Sequence, residues 1–277
     1  MPDFKKFSIE KESTGTIRII CPPLHHELIM ELRTVVDCHA LFLFPDKTIF
    51  IIEEKDLETF QIAYEHGEAP TLLLPTVVQV YYDYVSPYSY LSTKIMDILE
   101  SEYEIWVDWR GFELRPEWVE FPKWWYQPSA SQARWFERRD LVRKYGIPMA
   151  DERPDFRPRT RPLLKAGEYA KNQGRFKTFQ HAIFEAYYAR AEDIRSEAAV
   201  CQLGEMVGLD RTPLLEAMLS NTYEPVIEQI RRDAEKNRIF GVPTYQIGSI
   251  VIWGRDPIEE IRAAIENAGG IKRSSSE

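Results

Sequence analysis

The chain has 277 residues, 44% of them hydrophobic, and its 35 lysines and arginines stand against 44 aspartates and glutamates for a formal net charge of −9. That acidic balance excludes a nucleic-acid backbone as the main partner, since phosphate binding along a duplex needs a surplus of basic groups. The opening residues carry no apolar leader and no apolar run is long enough to span a bilayer, so the expectation is a globular, cytoplasmic protein without a membrane partner.

In chain order, residues 16–21 read as a strand, 24–35 as a helix after Pro22-Pro23, 39–44 and 48–52 as a hairpin around Pro45-Asp46-Lys47, and 56–65 as a helix. These make a small α/β unit. Residues 66–76, punctuated by Gly67, Pro70 and Pro75, read as a linker and put a domain boundary near residue 75. The apolar run 77–82 predicts a strand that passes into a helix over 87 to about 100. Ser86 is the expected cap, its hydroxyl accepting an orphan backbone N–H, and Pro87 follows at the first helical position, where a missing N–H costs nothing. With a strand at 103–109 this becomes a β-α-β unit, whose two strands should run parallel. Helices predicted at 129–145 (capped by Ser129), 161–173, 176–191, 196–207, 212–219 and 223–237 make residues 113–238 a helical insertion. A hairpin of 243–247 and 250–253 turning at Gly248-Ser249, a helix at 257–268 and a frayed polar tail at 271–277 close the chain.

The order β-α-β, helical insertion, β-β-α is that of a thioredoxin fold carrying a helical domain. The predicted fold class is therefore α/β, with an accessory α/β domain and linker over 1–75, the thioredoxin-type domain over 76–270 and the tail beyond. The turn Asp83-Tyr84-Val85-Ser86-Pro87-Tyr88-Ser89-Tyr90-Leu91 resembles the active-site turn of the DsbA superfamily. It is most similar to the serine branch of that superfamily, the kappa-class glutathione transferases and 2-hydroxychromene-2-carboxylate isomerases. Trp109-Arg110-Gly111-Phe112-Glu113-Leu114, Phe240-Gly241-Val242-Pro243-Thr244 and Trp253-Gly254-Arg255-Asp256 agree in order. The resemblance covers roughly residues 76–268. It implies that Ser86 is catalytic and stabilises the thiolate of bound glutathione, that Val242 and a cis Pro243 align the tripeptide backbone, and that Asp256 holds its γ-glutamyl amine. Tyr88, Ser89 and Trp253 would line the substrate pocket.

The residues themselves constrain that implication. Redox members of the superfamily carry Cys-x-x-Cys at this turn, because a helix N-terminus favours the thiolate. Here both positions are serines, and Cys21, Cys38 and Cys201 stand far from the turn and from one another, so the turn cannot exchange disulfides. Ser86 and Asp256 each have a plainer reading as helix caps ahead of Pro87 and Pro257. The arginines Arg134, Arg138, Arg139 and Arg143, following Trp118, Phe121, Trp124, Trp125 and Tyr126, read either as a solvated helix face beside an aromatic wall or as receivers of an anionic substrate above the turn. No set of histidines and cysteines suggests a metal. The expectation is a glutathione-dependent isomerase or transferase acting on a small molecule, with an anionic substrate and a homodimer both left open. The alternative, favoured by Phe112-Glu113-Leu114-Arg115-Pro116 and the proline opening the last helix, is a redox-inactive member of the oxidoreductase branch that acts as a binding module.

Overall fold

The computed structural model describes residues 8–11, 16–21, 38–43, 48–66, 76–116 and 128–273. The chain divides into two units, Met1–Pro75 and Thr76–Glu277. In the first, strands β1 (Ser8–Lys11), β2 (Thr16–Cys21), β3 (Cys38–Leu43) and β4 (Thr48–Glu53) form an antiparallel sheet in the order β1-β2-β4-β3. Period-two alternation sets its buried face: Ile17 and Ile19 pair with Ile52 and Phe50, and all four are fully buried. Helix α1 (Leu57–His66) follows a 3-10 turn and sets Phe60 edge-on against Phe50, ring centroids 5.0 Å apart. The helix expected at 24–35 and the turn at 45–47 lie outside the described residues. The sequence pattern does not predict strand β1; all of its residues are exposed, so no alternation marks it.

The second unit is built on β5 (Thr76–Tyr82), α2 (Pro87–Glu102) and β6 (Tyr103–Gly111). Strands β5 and β6 are parallel, in register from Thr76 beside Ile105 to Tyr82 beside Gly111. Strand β7 (Thr244–Ile247) pairs antiparallel with the other edge of β5, and β8 (Ile250–Trp253) with β7. The sheet order β8-β7-β5-β6-β9 makes β5 the central strand. A strand covered on both faces needs apolar residues on both, which is why it reads as a continuous run and not as an alternation.

Between β6 and β7 come α3 (Pro128–Lys144), α4 (Thr160–Asn172), α5 (Phe176–Phe184), α6 (Glu197–Met206), α7 (Arg211–Leu219) and α8 (Glu224–Lys236). Helix α3 begins one residue before Ser129, so that serine lies inside the helix instead of capping it. Ser196 does cap α6, accepting from the Ala199 amide at 3.2 Å. The single helix expected at 176–191 changes character: after Phe184 the chain widens into a π-helical turn, Glu185–Ala189. Helix α9 (Ile258–Asn267) is followed by β9 (Ile271–Lys272), which pairs antiparallel with the start of β6. The first two residues of the polar tail expected at 271–277 thus complete the sheet, and residues 274–277 lie outside the described residues. No described helix is long and apolar enough to cross a membrane.

Candidate functional site

Central strand β5 ends at Tyr82, and a short turn delivers Ser86 to the N-terminus of α2. Ser86 holds an extended backbone (φ −101°, ψ 114°) and its Oγ accepts from the Ser89 amide at 3.3 Å, the capping geometry its sequence predicts. The same Oγ donates to the Val242 carbonyl at 3.4 Å across 156 residues of chain. That distance is at the long limit for a hydroxyl donor, so the proton is only weakly committed there. The Val242-Pro243 peptide is cis, as expected from sequence. Ser86 is 4% exposed and stands at the positive end of a 16-residue helix, a position that favours an adjacent anion. Ser89 is fully buried, and its Oγ accepts from the Asp83 amide at 3.3 Å, which ties the first turn of α2 to the end of β5.

Beneath this turn lies a carboxyl group that sequence reading did not single out. Asp83 is fully buried, and its oxygens accept from the Leu114 amide at 2.7 Å, the Thr160 hydroxyl at 3.3 Å and the Val85 amide at 3.4 Å. Burial raises its pKa from 3.8 to about 7 against the opposing effect of those donors. Only its place three residues before Ser86 could have signalled it.

The remaining expected site residues lie around the turn. The Tyr88 ring is half-buried, with the Arg138 guanidinium of α3 5.7 Å from its centroid and that of Arg255 5.6 Å away. Asp256 does not cap α9, whose cap position is taken by Pro257. Its carboxylate instead accepts a hydrogen bond from the Tyr145 hydroxyl, just past the end of α3. Burial, and then that hydrogen bond, push Tyr145 up to about 12, so the phenol remains a donor at neutral pH. Trp253 is 61% exposed and packs against Phe240, itself 73% exposed, at 5.2 Å. Gly241 sits close against this pair, and an added Cβ there would come within 2.8 Å of the Trp253 Nε1.

A cavity of about 130 Å³ opens against Val85 and Pro87, the two neighbours of Ser86, with Trp135, Tyr187 and Tyr188 as its aromatic wall. Among the described residues five arginines make up the rest of the lining: Arg115 after β6, Arg134 and Arg138 on α3, and Arg153 and Arg157 on the connection to α4. Ser86 itself touches the cavity only through its neighbours Val85 and Pro87, and neither it nor Tyr88, Ser89, Val242, Pro243, Trp253 or Asp256 is among the residues lining it. The aromatic cluster from Trp118 to Tyr126 lies outside the described residues. The π-helical turn carries both of the tyrosines that line the cavity, and such turns recur at functional sites.

A parallel β-α-β unit, a helical insertion and a β-hairpin with a cis proline facing the helix N-terminus define a thioredoxin fold with the superfamily's helical domain. Residues 77–266 match the family described as the DSBA-like thioredoxin domain, and the chain belongs to it. Among curated proteins it is 26% identical over 182 residues to the uncharacterized protein YwbO of Bacillus subtilis, covering 64% of this chain and 89% of that one. It is 23% identical over 197 residues to a 2-hydroxychromene-2-carboxylate isomerase of Pseudomonas putida, covering 68% and 94%. A solved 2-hydroxychromene-2-carboxylate isomerase superposes with a TM-score of 0.57 at 22% identity, over 69% of this chain and 95% of that one. The cytosolic disulfide reductase DsbM of Pseudomonas aeruginosa, solved with GSH, superposes with a TM-score of 0.51 at 16% identity, over 69% and 98%.

Proposed function

We propose that this chain is a glutathione-dependent isomerase or transferase in which the protein supplies a hydroxyl and the cofactor supplies the thiol. The observation that carries the reading is Ser86: a buried hydroxyl at a helix N-terminus, its proton weakly held by the Val242 carbonyl, in the position where redox relatives need a cysteine. The isomerase relatives and the GSH-bearing DsbM support the choice of class and cofactor.

The residues present fit the tripeptide. Ser86 can turn its hydrogen from Val242 to a thiolate, a stronger acceptor, and the dipole of α2 adds to that preference. The chain at Val242 and Pro243 faces the same hydroxyl and can align an extended backbone. Asp256 uses one oxygen for Tyr145 and keeps the other for an ammonium group. When bound, the thiol would supply reversible nucleophilic addition to a conjugated substrate. Ser86 lowers the cost of the thiolate, and the buried turn keeps water from competing for it.

Titration calorimetry with reduced glutathione tests this. Binding within the cellular concentration range is expected, weakened about tenfold in Ser86→Ala by loss of the donor to an ion; the same variant should lose about 1 kcal/mol of stability with its cap. Absence of binding by the intact protein would sink the cofactor assignment. A second reading, a binding module without chemistry, is favoured by the exposed Phe240 and Trp253 beside the Gly241-Val242-Pro243 segment. Glutathione binding that Ser86→Ala leaves untouched would favour it.

A further inference from the structure

The cavity beside Ser86 is more specific than its charge alone. Tyr188 is 2% exposed and stacks with Tyr90 at 5.7 Å and Trp135 at 6.0 Å, yet its hydroxyl is buried with no hydrogen-bond partner among the described residues. The adjacent Tyr187, also on the cavity wall, donates to the Phe156 carbonyl at 3.1 Å. The Nε of Arg138 is buried and without a hydrogen-bond partner among the described residues as well. The Tyr90 hydroxyl, which is not on the cavity, is buried without a partner among the described residues too, so the lining decides: five arginines around one cavity, with Tyr188 and Arg138 each carrying a buried donor to spare, point to an acceptor that enters it. Burial raises Tyr188 well above the usual phenol range, which keeps its hydroxyl a donor. No aspartate or glutamate stands among the described residues that line the cavity.

Geometry narrows the acceptor. The arginines come from three separate segments, after β6, on α3 and on the connection to α4. The lone pairs of a carboxylate lie in one plane and suit one or two forked guanidinium groups. The terminal oxygens of a phosphate monoester point in different directions and carry up to two charges, which suits donors converging from several sides. We propose that this cavity binds a phosphate monoester, with Arg138 and Arg153 holding its charge and the Tyr188 hydroxyl donating to one oxygen, so that the substrate class of the site is a phosphorylated small molecule. The substrate assignment rests on the reading of Ser86 as the reacting centre, but phosphate binding itself requires no thiol.

Calorimetric titration of the full chain with inorganic phosphate, and separately with acetate, at fixed ionic strength and without thiol, tests the inference. Phosphate should bind about tenfold or more tightly than acetate. Arg138→Gln and Arg153→Gln should each weaken phosphate about tenfold, and Tyr188→Phe should weaken it several-fold. Arg139→Gln is the control, because Arg139 pairs with Asp140 at 2.9 Å and does not line the cavity; it should leave phosphate affinity unchanged. Equal affinity for the two anions, no phosphate binding, or equal losses in Arg138→Gln and Arg139→Gln would overturn the assignment. Phosphate binding alongside failed glutathione binding would remove the cofactor and leave the phosphate cavity standing.

Discussion

Asp83 places a carboxyl group where no water reaches it, three residues before the proposed reacting serine, and the protein carries a pH-dependent cost for that. Its pKa in the folded chain is about 7, against 3.8 for the ordinary side chain. The sign follows from proton counting: between those two values the folded state holds a proton that the unfolded state has released. Stability from this group is therefore undiminished below the lower value, falls as pH rises through the window, and stays low above about 7. Asp83→Asn cannot ionise, so its denaturant stability should decline less than the wild type's between mildly acidic and mildly alkaline buffer. The introduced amide would also accept with one oxygen where Asp83 uses two, so the variant should be less stable than wild type at the acid end. Parallel pH profiles for the two proteins would contradict the buried-acid account.

At the scale of elements, the end of α9 shows how a two-residue strand is held. Gly269 takes φ +80°, and the Gly270 amide donates to the Ile265 carbonyl at 2.8 Å, turning the chain back toward β6. A Cβ on Gly270 would lie 2.3 Å from the Ile265 Cγ2 and 2.8 Å from its carbonyl oxygen, and Ile265 is fully buried. Gly270→Ala should therefore cost about 1–3 kcal/mol. It should also speed amide exchange at Arg273, whose N–H donates to the Glu102 carbonyl at 2.9 Å only while β9 is docked. Unchanged exchange at Arg273 would mean that β9 docks without this turn. The elements that sequence reveals and those it hides differ in a physical way. The passage from β5 into α2 is legible because an apolar run, a capping serine and a first-turn proline are all local signals. Strands β1 and β9 are hidden because edge pairs this short bury little and show no alternation. The π-helical turn is hidden because Glu185–Ala189 carries ordinary helix-forming residues, and the place of Tyr187 and Tyr188 on one cavity shows only in three dimensions. The arginine lining is legible only in part: Arg134 and Arg138 lie close together in sequence, but Arg115, Arg153 and Arg157 join them through the fold.

At the scale of the whole molecule, the family match begins at Val77 and the second unit begins at Thr76, so the two independent boundaries coincide within one residue. Everything that builds the proposed site lies past that boundary: the Ser86 turn, the Val242-Pro243 segment, the arginine cavity and the Tyr145–Asp256 pair. The second unit also has its own hydrophobic core, running from Val78 and Val80 on the central strand to Ile261 and Ile265 on α9. Its length of about 200 residues is ample for an independently folding domain. A chain starting at Thr76 should therefore unfold in one cooperative transition and bind reduced glutathione and phosphate within about twofold of the full chain, a difference too small to represent a lost direct contact. Cooperative unfolding with affinities about tenfold weaker would instead make residues 1–75 a contributor to the site, since a domain that folds normally but binds poorly lacks a binding group and not its core.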